Sequence, residues 1–321
     1  MLTRHVQRAA KVLGATIAAL LFFVGGVALR LTMGPISLGP FAGAIEDSIN
    51  RSVTGLVVHF DQAVLEWSRA EGKVNLIVLG TKVLDSGGRI VAQAPKADID
   101  LDALQLVRGH LSVKRFGLIG IQLTVARSAD GQIRLGFGPD QGSPDLLETI
   151  RMVLQDSKQG AGSLQSFSIL DARLAFHDEG TGLFVVSPDT DFSFRKNGTR
   201  LEAALDSAVE IAGAPSRVAV RALLREDGSP ESGTLDVKGL SFPALAKSSA
   251  SFAYLAPYRL VSDVSAKFAL GPNNGIQTVS FTAKSSGDVD APTLDTPVHV
   301  SALALDGQYD ATTNVLQLGR F

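Results

Sequence analysis

Ala97-Asp98-Ile99-Asp100-Leu101-Asp102 alternates apolar and acidic residues without a break. In an extended strand this puts Ala97, Ile99 and Leu101 on one face and the three carboxylates on the other. The same period returns where Ile121, Leu123 and Val125 alternate with Gln122 and Thr124, and again at Ile133, Leu135 and Phe137. It recurs at Phe192/Phe194, Leu201/Ala203/Leu205, Val218/Val220/Ala222, Leu235/Val237 and Val279/Phe281/Ala283. Gly87-Gly88, Asp130-Gly131, Asn197-Gly198, Asp227-Gly228 and Asp306-Gly307 punctuate these runs. Such dipeptides accept the positive φ of tight turns. The reading is therefore roughly a dozen strands joined by short turns and paired antiparallel. Helical spacing is confined to residues 41–50, with Phe41, Ile45 and Ile49 on one face, and to 103–108, 144–157 and 243–250.

A fifty-one-residue echo runs through the middle of the chain. Phe116, Leu118, Leu123, Val125, Gly131, Ile133 and Leu135 recur as Phe167, Ile169, Leu174, Phe176, Gly182, Phe184 and Val186. Either a repeated unit or one hairpin shape used twice produces this pattern.

Ahead of the strands, residues 12–29 read VLGATIAALLFFVGGVAL, with no charge. Arg4, Arg8 and Lys11 precede them and Arg30 follows. A helix of this length covers roughly 27 Å, near the ~30 Å thickness of a bilayer's hydrocarbon, so the stretch reads as a transmembrane anchor over 12–31. The basic residues lie before it, which places residues 1–11 in the cytoplasm and the bulk of the chain outside. A cleaved export signal shares the basic start and has a candidate exit at Gly26-Val27-Ala28, but its apolar core is usually only ~7–15 residues. Residues 32–55 then form a linker with the short amphipathic helix, and 56–321 form the β-domain.

The composition excludes several classes. With 30 basic and 32 acidic residues there is no basic excess for nucleic acid. With no cysteine there is no disulfide scaffold, thiolate metal site or cysteine nucleophile. No phosphate loop, HExxH or G-x-S-x-G stretch occurs. His177-Asp178-Glu179 is the one imidazole beside two carboxylates, and it reads as a polar strand end before Gly180. Asp98, Asp100 and Asp102 lie along a straight face without the loop spacing that calcium requires, so they read as solvated. Trp67, the only tryptophan, suits either a membrane interface beside the anchor or ordinary packing. The expectation is a non-enzyme with no catalytic, cofactor or metal residues.

An alternating sheet has one face that must leave water. At ~25 cal/mol per Å² a dozen-stranded apolar face does not stay bare. The helical segments are too short to cover it, which leaves a second sheet or a curled one. Small inward candidates, Ala97, Ala203, Ala222 and Ala283, favour a trough.

The order of segments resembles a known family. An anchor is followed by GPISLGPFAGAIEDSI (34–49), VLEW around Trp67, and the long stretch from Lys73 through Gly138. This resembles the start of AsmA-like proteins of the YhdP type from Gram-negative bacteria, and ILDARLAFHDEGTGLFVVSPDTDFSF (169–194) is similar to their repeated strand pairs. The resemblance implies a mainly β protein, with an N-terminal transmembrane helix and a long, curled antiparallel sheet forming an open groove under a few short helices. It implies anchoring in the inner membrane, a periplasmic β-domain and movement of phospholipid towards the outer membrane. Relatives are longer, so residues 56–321 are expected to be truncated at their C-terminal end, with a further envelope protein completing the path. The liners expected from the alternation are Ile99, Leu101, Ile121, Leu123, Val125, Phe192 and Phe194. The alternative is a dry envelope scaffold that carries no lipid.

Overall fold

A computed structural model describes residues 26, 29–52, 56–68, 73–85, 88, 90–101, 113–137, 165–198, 200–225, 229–271, 275–290 and 295–319. Among them, seventeen strands join one open sheet. They are β1 (Ile36–Ser37), β2 (Leu56–His59), β3 (Gln62–Ser68), β4 (Lys73–Asp85), β5 (Ile90–Leu101), β6 (Val113–Ile119), β7 (Gln122–Arg127), β8 (Ile133–Phe137) and β9 (Ser166–Asp178). The second half holds β10 (Leu183–Asn197), β11 (Arg200–Ile211), β12 (Ala214–Leu224), β13 (Pro230–Ser241), β14 (Tyr258–Leu270), β15 (Ile276–Val289), β16 (Val298–Asp310) and β17 (Val315–Leu318). Helix α1 is Ala42–Ser52 and α2 is Phe242–Ser248.

From β9 to β17 every strand pairs antiparallel with the next in sequence, across short turns in most cases and across the helical segment 242–257 between β13 and β14. The all-antiparallel expectation fails at one junction, where β6 and β7 both run parallel to β9. A parallel neighbour requires a long crossover, and residues 128–165 supply it. The register there is constant: Phe116 lies opposite Phe167 and Leu123 opposite Leu174. The two copies of the sequence echo thus lie side by side. Their backbones kink at matching places, Gly120 (φ 73°) beside Asp171 (φ 52°), and turn at Gly131 (φ 84°) and Gly182 (φ 70°). Ile121 and Ala172, each just after its kink, are both buried.

The echo breaks in the returning strands. Val125 pairs with Leu135, but Phe176 pairs with Val185 rather than Val186. A one-residue slip exchanges the faces of a strand, and Phe184 and Val186 are exposed. The kinks continue across the sheet at Gly80 in β4 and at Gly239 in β13, whose N–H donates to Asp263 Oδ1 at 2.8 Å. Asp171 N–H is capped likewise by Asp191 Oδ1 at 3.0 Å. Bulges of this kind bend strands and increase their twist.

The core sits where α1 lies on the apolar face. Ile45 and Ile49 pack with Val58, Val78, Ile99, Phe116, Ile121 and Ile169. Phe41, expected on the same helical face, is exposed because it closes the 3-10 turn Gly39–Phe41 before the helix begins. Asn50 fixes the helix to β2, donating to the Val58 carbonyl at 3.2 Å and accepting from its N–H at 2.7 Å. Helix α2 overlaps the expected 243–250 region, starting one residue earlier and ending two residues sooner. Its Ser241 cap accepts from Ala244 N–H, and Pro243 lies in the first turn. The helices expected at 103–108 and 144–157 lie outside the described residues, as does nearly all of 12–29. Among the described residues no helix is long and apolar enough to cross a membrane.

Asp306-Gly307 is not a turn but part of β16. A Cβ on Gly307 would stand 2.6 Å from the Phe281 ring, so the glycine makes room for an aromatic ring laid across the neighbouring strand. Gly233 does the same beneath Phe268.

Candidate functional site: an apolar track across the sheet

Register alone builds the track. Leu65, Leu76, Ile99, Phe116, Phe167 and Phe194 are successive partners from β3 to β10. Ala203, Ala222, Gly233, Phe268, Val279, Tyr309 and Leu316 continue the same row to β17. A second row, two residues along each strand, runs Ala63, Val78, Ala97, Leu118, Ile169 and Phe192. It goes on through Leu205, Val220, Leu235, Ala266, Phe281, Gly307 and Leu318. No charged residue interrupts either row. With strands ~4.8 Å apart, the rows extend for roughly 58 Å.

The track changes character along its length. Over β3 to β9 it is filled: Val78 and Ala97 are 0% exposed and Leu118 2%. From β11 to β15 the same rows are only half-buried at Leu205, Val220, Leu235, Ala266 and Phe281. At β17 Leu316 is 55% exposed. The opposite face carries charged pairs, with Arg221 to Asp206 at 2.6 Å, Arg115 to Asp100 at 3.5 Å and Lys96 to Glu66 at 3.6 Å, although Ile77 on that face of β4 is buried.

Buried hydroxyls interrupt the apolar surroundings where strands kink. Ser187, Thr190 and Ser207 are buried where β10 kinks, and they satisfy one another: Thr190 Oγ1 lies 2.9 Å from Ser187 Oγ and 2.8 Å from Ser207 Oγ. Ser187 also donates to the Ala208 carbonyl at 2.7 Å. Ser262 and Ser285 pair at 2.7 Å further along. These hydroxyls need no ligand to be satisfied.

Two ends flank the track. At one, α2 packs on β11 and β14, and Ser249 Oγ donates to the Thr181 carbonyl. At the other, Lys114, Arg115, Arg195, Lys196 and Arg200 gather on neighbouring strands. Gln165 N–H donates to the Lys114 carbonyl at 2.7 Å, and Lys196 N–H to the Gln165 carbonyl at 2.8 Å.

Of the expected liners, Ile99, Ile121, Leu123, Val125, Phe192 and Phe194 all share the apolar face. Ile99 and Ile121 are 1% exposed, and Leu123 and Phe194 7%, so these four belong to the filled part. Val125 and Phe192 are half-buried. The Leu101 side chain lies outside the described residues. The accessible stretch lies later, at Val220, Leu235 and Phe281, which the sequence marked as strand residues but did not single out as liners.

The polar candidates are structural. Asp178 accepts from Thr181 Oγ1 at 2.8 Å and from Gly180 N–H at 3.0 Å, and Arg127 approaches it at 3.4 Å. The Thr181 hydroxyl above all, with the Gly180 amide and Arg127, holds this carboxyl below its usual range, against a smaller effect of burial. Glu179 pairs with Arg134. Asp171, Asp189 and Asp191 bring carboxylate oxygens within 4.8 Å of one another, but all three are exposed and Asp191 already caps the Asp171 kink. Trp67 is 39% exposed and borders a cavity of about 600 Å³ with Leu31, Met33 and Pro35.

Together these features define a mainly β protein with one long open sheet, apolar on one face. Comparison with protein-family models, with curated proteins and with solved structures gave no match.

Proposed function

We propose that this chain is a non-enzymatic AsmA-like protein of the YhdP type, anchored in a bacterial inner membrane by residues 12–31. Its β-domain stands in the periplasm and binds or conducts phospholipid. The observation that carries the reading is the pair of uninterrupted apolar rows, which stay half-accessible from β11 onward. Acyl chains lying on these rows leave water, and each buried methylene contributes about 0.8 kcal/mol. Movement along the rows needs no specific polar site, because every strand offers the next equivalent position. The envelope protein that would complete the path is a partner of the same reading.

The test places a charge on the track. Leu235→Asp and Val220→Asp are compared with Thr234→Asp, which lies on the opposite face beside Leu235. Phospholipid that co-purifies with the wild type and with Thr234→Asp should fall to about a tenth in the two track variants, since a charge opposes apolar contact. Circular dichroism establishes that each variant folds. Folded track variants that retain all their lipid would overturn the reading in favour of a dry scaffold.

A further inference from the structure

We propose that Trp67 lies at the membrane–water interface, so that the end of β3 carrying it is the end of the sheet seated on the bilayer. The proposal rests on the anchor reading above and adds to it where the anchored sheet meets the lipid surface. β1 runs antiparallel to β3, with Ile36 opposite Leu65 and Ser37 opposite Val64. The chain before Ile36 therefore comes in along the outer edge of β3 from the Trp67 end. Only Gly34 and Pro35 separate Met33 from β1, and three residue steps span at most about 11 Å. This entry has no slack. The helical turn 29–32 closes with Met33 N–H donating to the Arg30 carbonyl at 3.2 Å and Gly34 N–H to the Leu31 carbonyl at 3.3 Å. Beyond β1, Leu38 N–H donates to the Ala63 carbonyl at 2.8 Å. The charge-free stretch 12–29 ends inside that helical turn, so the exit of an apolar helix from hydrocarbon is tied to the edge of β3 beside Trp67.

The side chains at this exit are apolar and uncovered. Leu29 is 66% exposed, Met33 78% and Trp67 39%. Leu31, in contrast, is buried, and with Met33, Pro35 and Trp67 it lines the cavity of about 600 Å³. The other wall of that cavity is charged, with Glu66 and Lys96 paired at 3.6 Å. Apolar groups on one side and charges on the other match the layering of a bilayer surface, where an indole keeps its ring out of water and its N–H hydrogen-bonded. The occupant is lipid because these residues run directly into a stretch long enough to cross the hydrocarbon of a bilayer. Phe184, 54% exposed, stands at the far end of β10, about 30 Å along the strand from Phe194 in the row of Leu65. It is the control position for an end that is not seated.

Trp67 is the only tryptophan of the chain, so its fluorescence reports this position alone. The full chain is reconstituted in phosphatidylcholine vesicles whose acyl chains carry bromine either near the glycerol or near the methyl end, and bound protein is collected by flotation. Trp67 should be quenched several-fold more by the shallow bromine than by the deep one, and little by iodide supplied on both sides of the membrane. The Trp67→Phe/Phe184→Trp variant moves the indole to the far strand end and should be quenched by iodide and not by bromine. Leu235→Asp, which removes lipid from the track, should leave the Trp67 pattern unchanged. Vesicle-bound protein whose Trp67 is quenched by iodide, or by neither agent, overturns the seat and leaves the anchor standing. Equal bromine quenching at the two positions shows that neither end is singled out and overturns it as well. Bromine quenching that disappears in Leu235→Asp assigns the quencher to lipid carried on the track, again overturning the proposal. Protein that does not float with the vesicles overturns both the seat and the anchor.

Discussion

Phe116 and Phe167, fifty-one residues apart in the chain, stack with ring centroids 6.3 Å apart and planes 23° from parallel. They are register partners on parallel strands and join the first copy of the sequence echo to the second. Phe116 is 6% exposed inside the core. Replacing it with alanine should destabilise the fold by about 3–5 kcal/mol, the usual cost of emptying an aromatic site. Urea denaturation reads this directly, and a loss below about 1 kcal/mol would mean that the ring is not packed as described.

Gly287 (φ 138°) occupies a backbone conformation that side chains rarely adopt, and a Cβ there would stand 2.1 Å from the Arg259 carbonyl oxygen. Because the obstacle is backbone, the strand pair β14–β15 must separate to admit alanine. Gly287→Ala should cost about 1–3 kcal/mol, in line with other overpacked sites. Gly43→Ala, in α1 with open space around it, should cost nothing or stabilise slightly. Equal melting temperatures for the two variants would sink the strained-strand account.

Asp178 links the β9–β10 turn to pH. Its carboxyl is lowered chiefly by the Thr181 hydroxyl, so the folded protein binds this proton less readily than the unfolded chain. The stabilisation is complete above the ordinary value of 3.8 and fades as pH falls from there through the lowered value in the fold. Asp178→Asn should therefore reduce stability at neutral pH and flatten the acid limb of the stability profile. A variant whose acid limb matches the wild type would show that other groups govern it.

The period-two alternation named many of the strand segments before any geometry was known, because side-chain direction in a strand is a local property. It also put Ile99, Ile121, Leu123 and Phe194 on one face correctly. It did not separate filled from open. That depends on where α1 lies, and Ile45 and Ile49 reach Val58 and Phe116 only through the tertiary fold. Asp306-Gly307 misled for a related reason: the dipeptide suits a turn, yet Phe281 on the next strand decides that Gly307 belongs inside β16.

By itself, then, the sequence determined an alternating, mainly β chain with one apolar face, since each residue's side follows from its neighbours in the chain. Only the tertiary structure decided the parallel junction at β9, the slip that turns Phe184 outward, and the stretch of track left accessible. Those outcomes depend on pairings between residues tens of positions apart, and a single residue more or less in a turn reverses which face a strand presents.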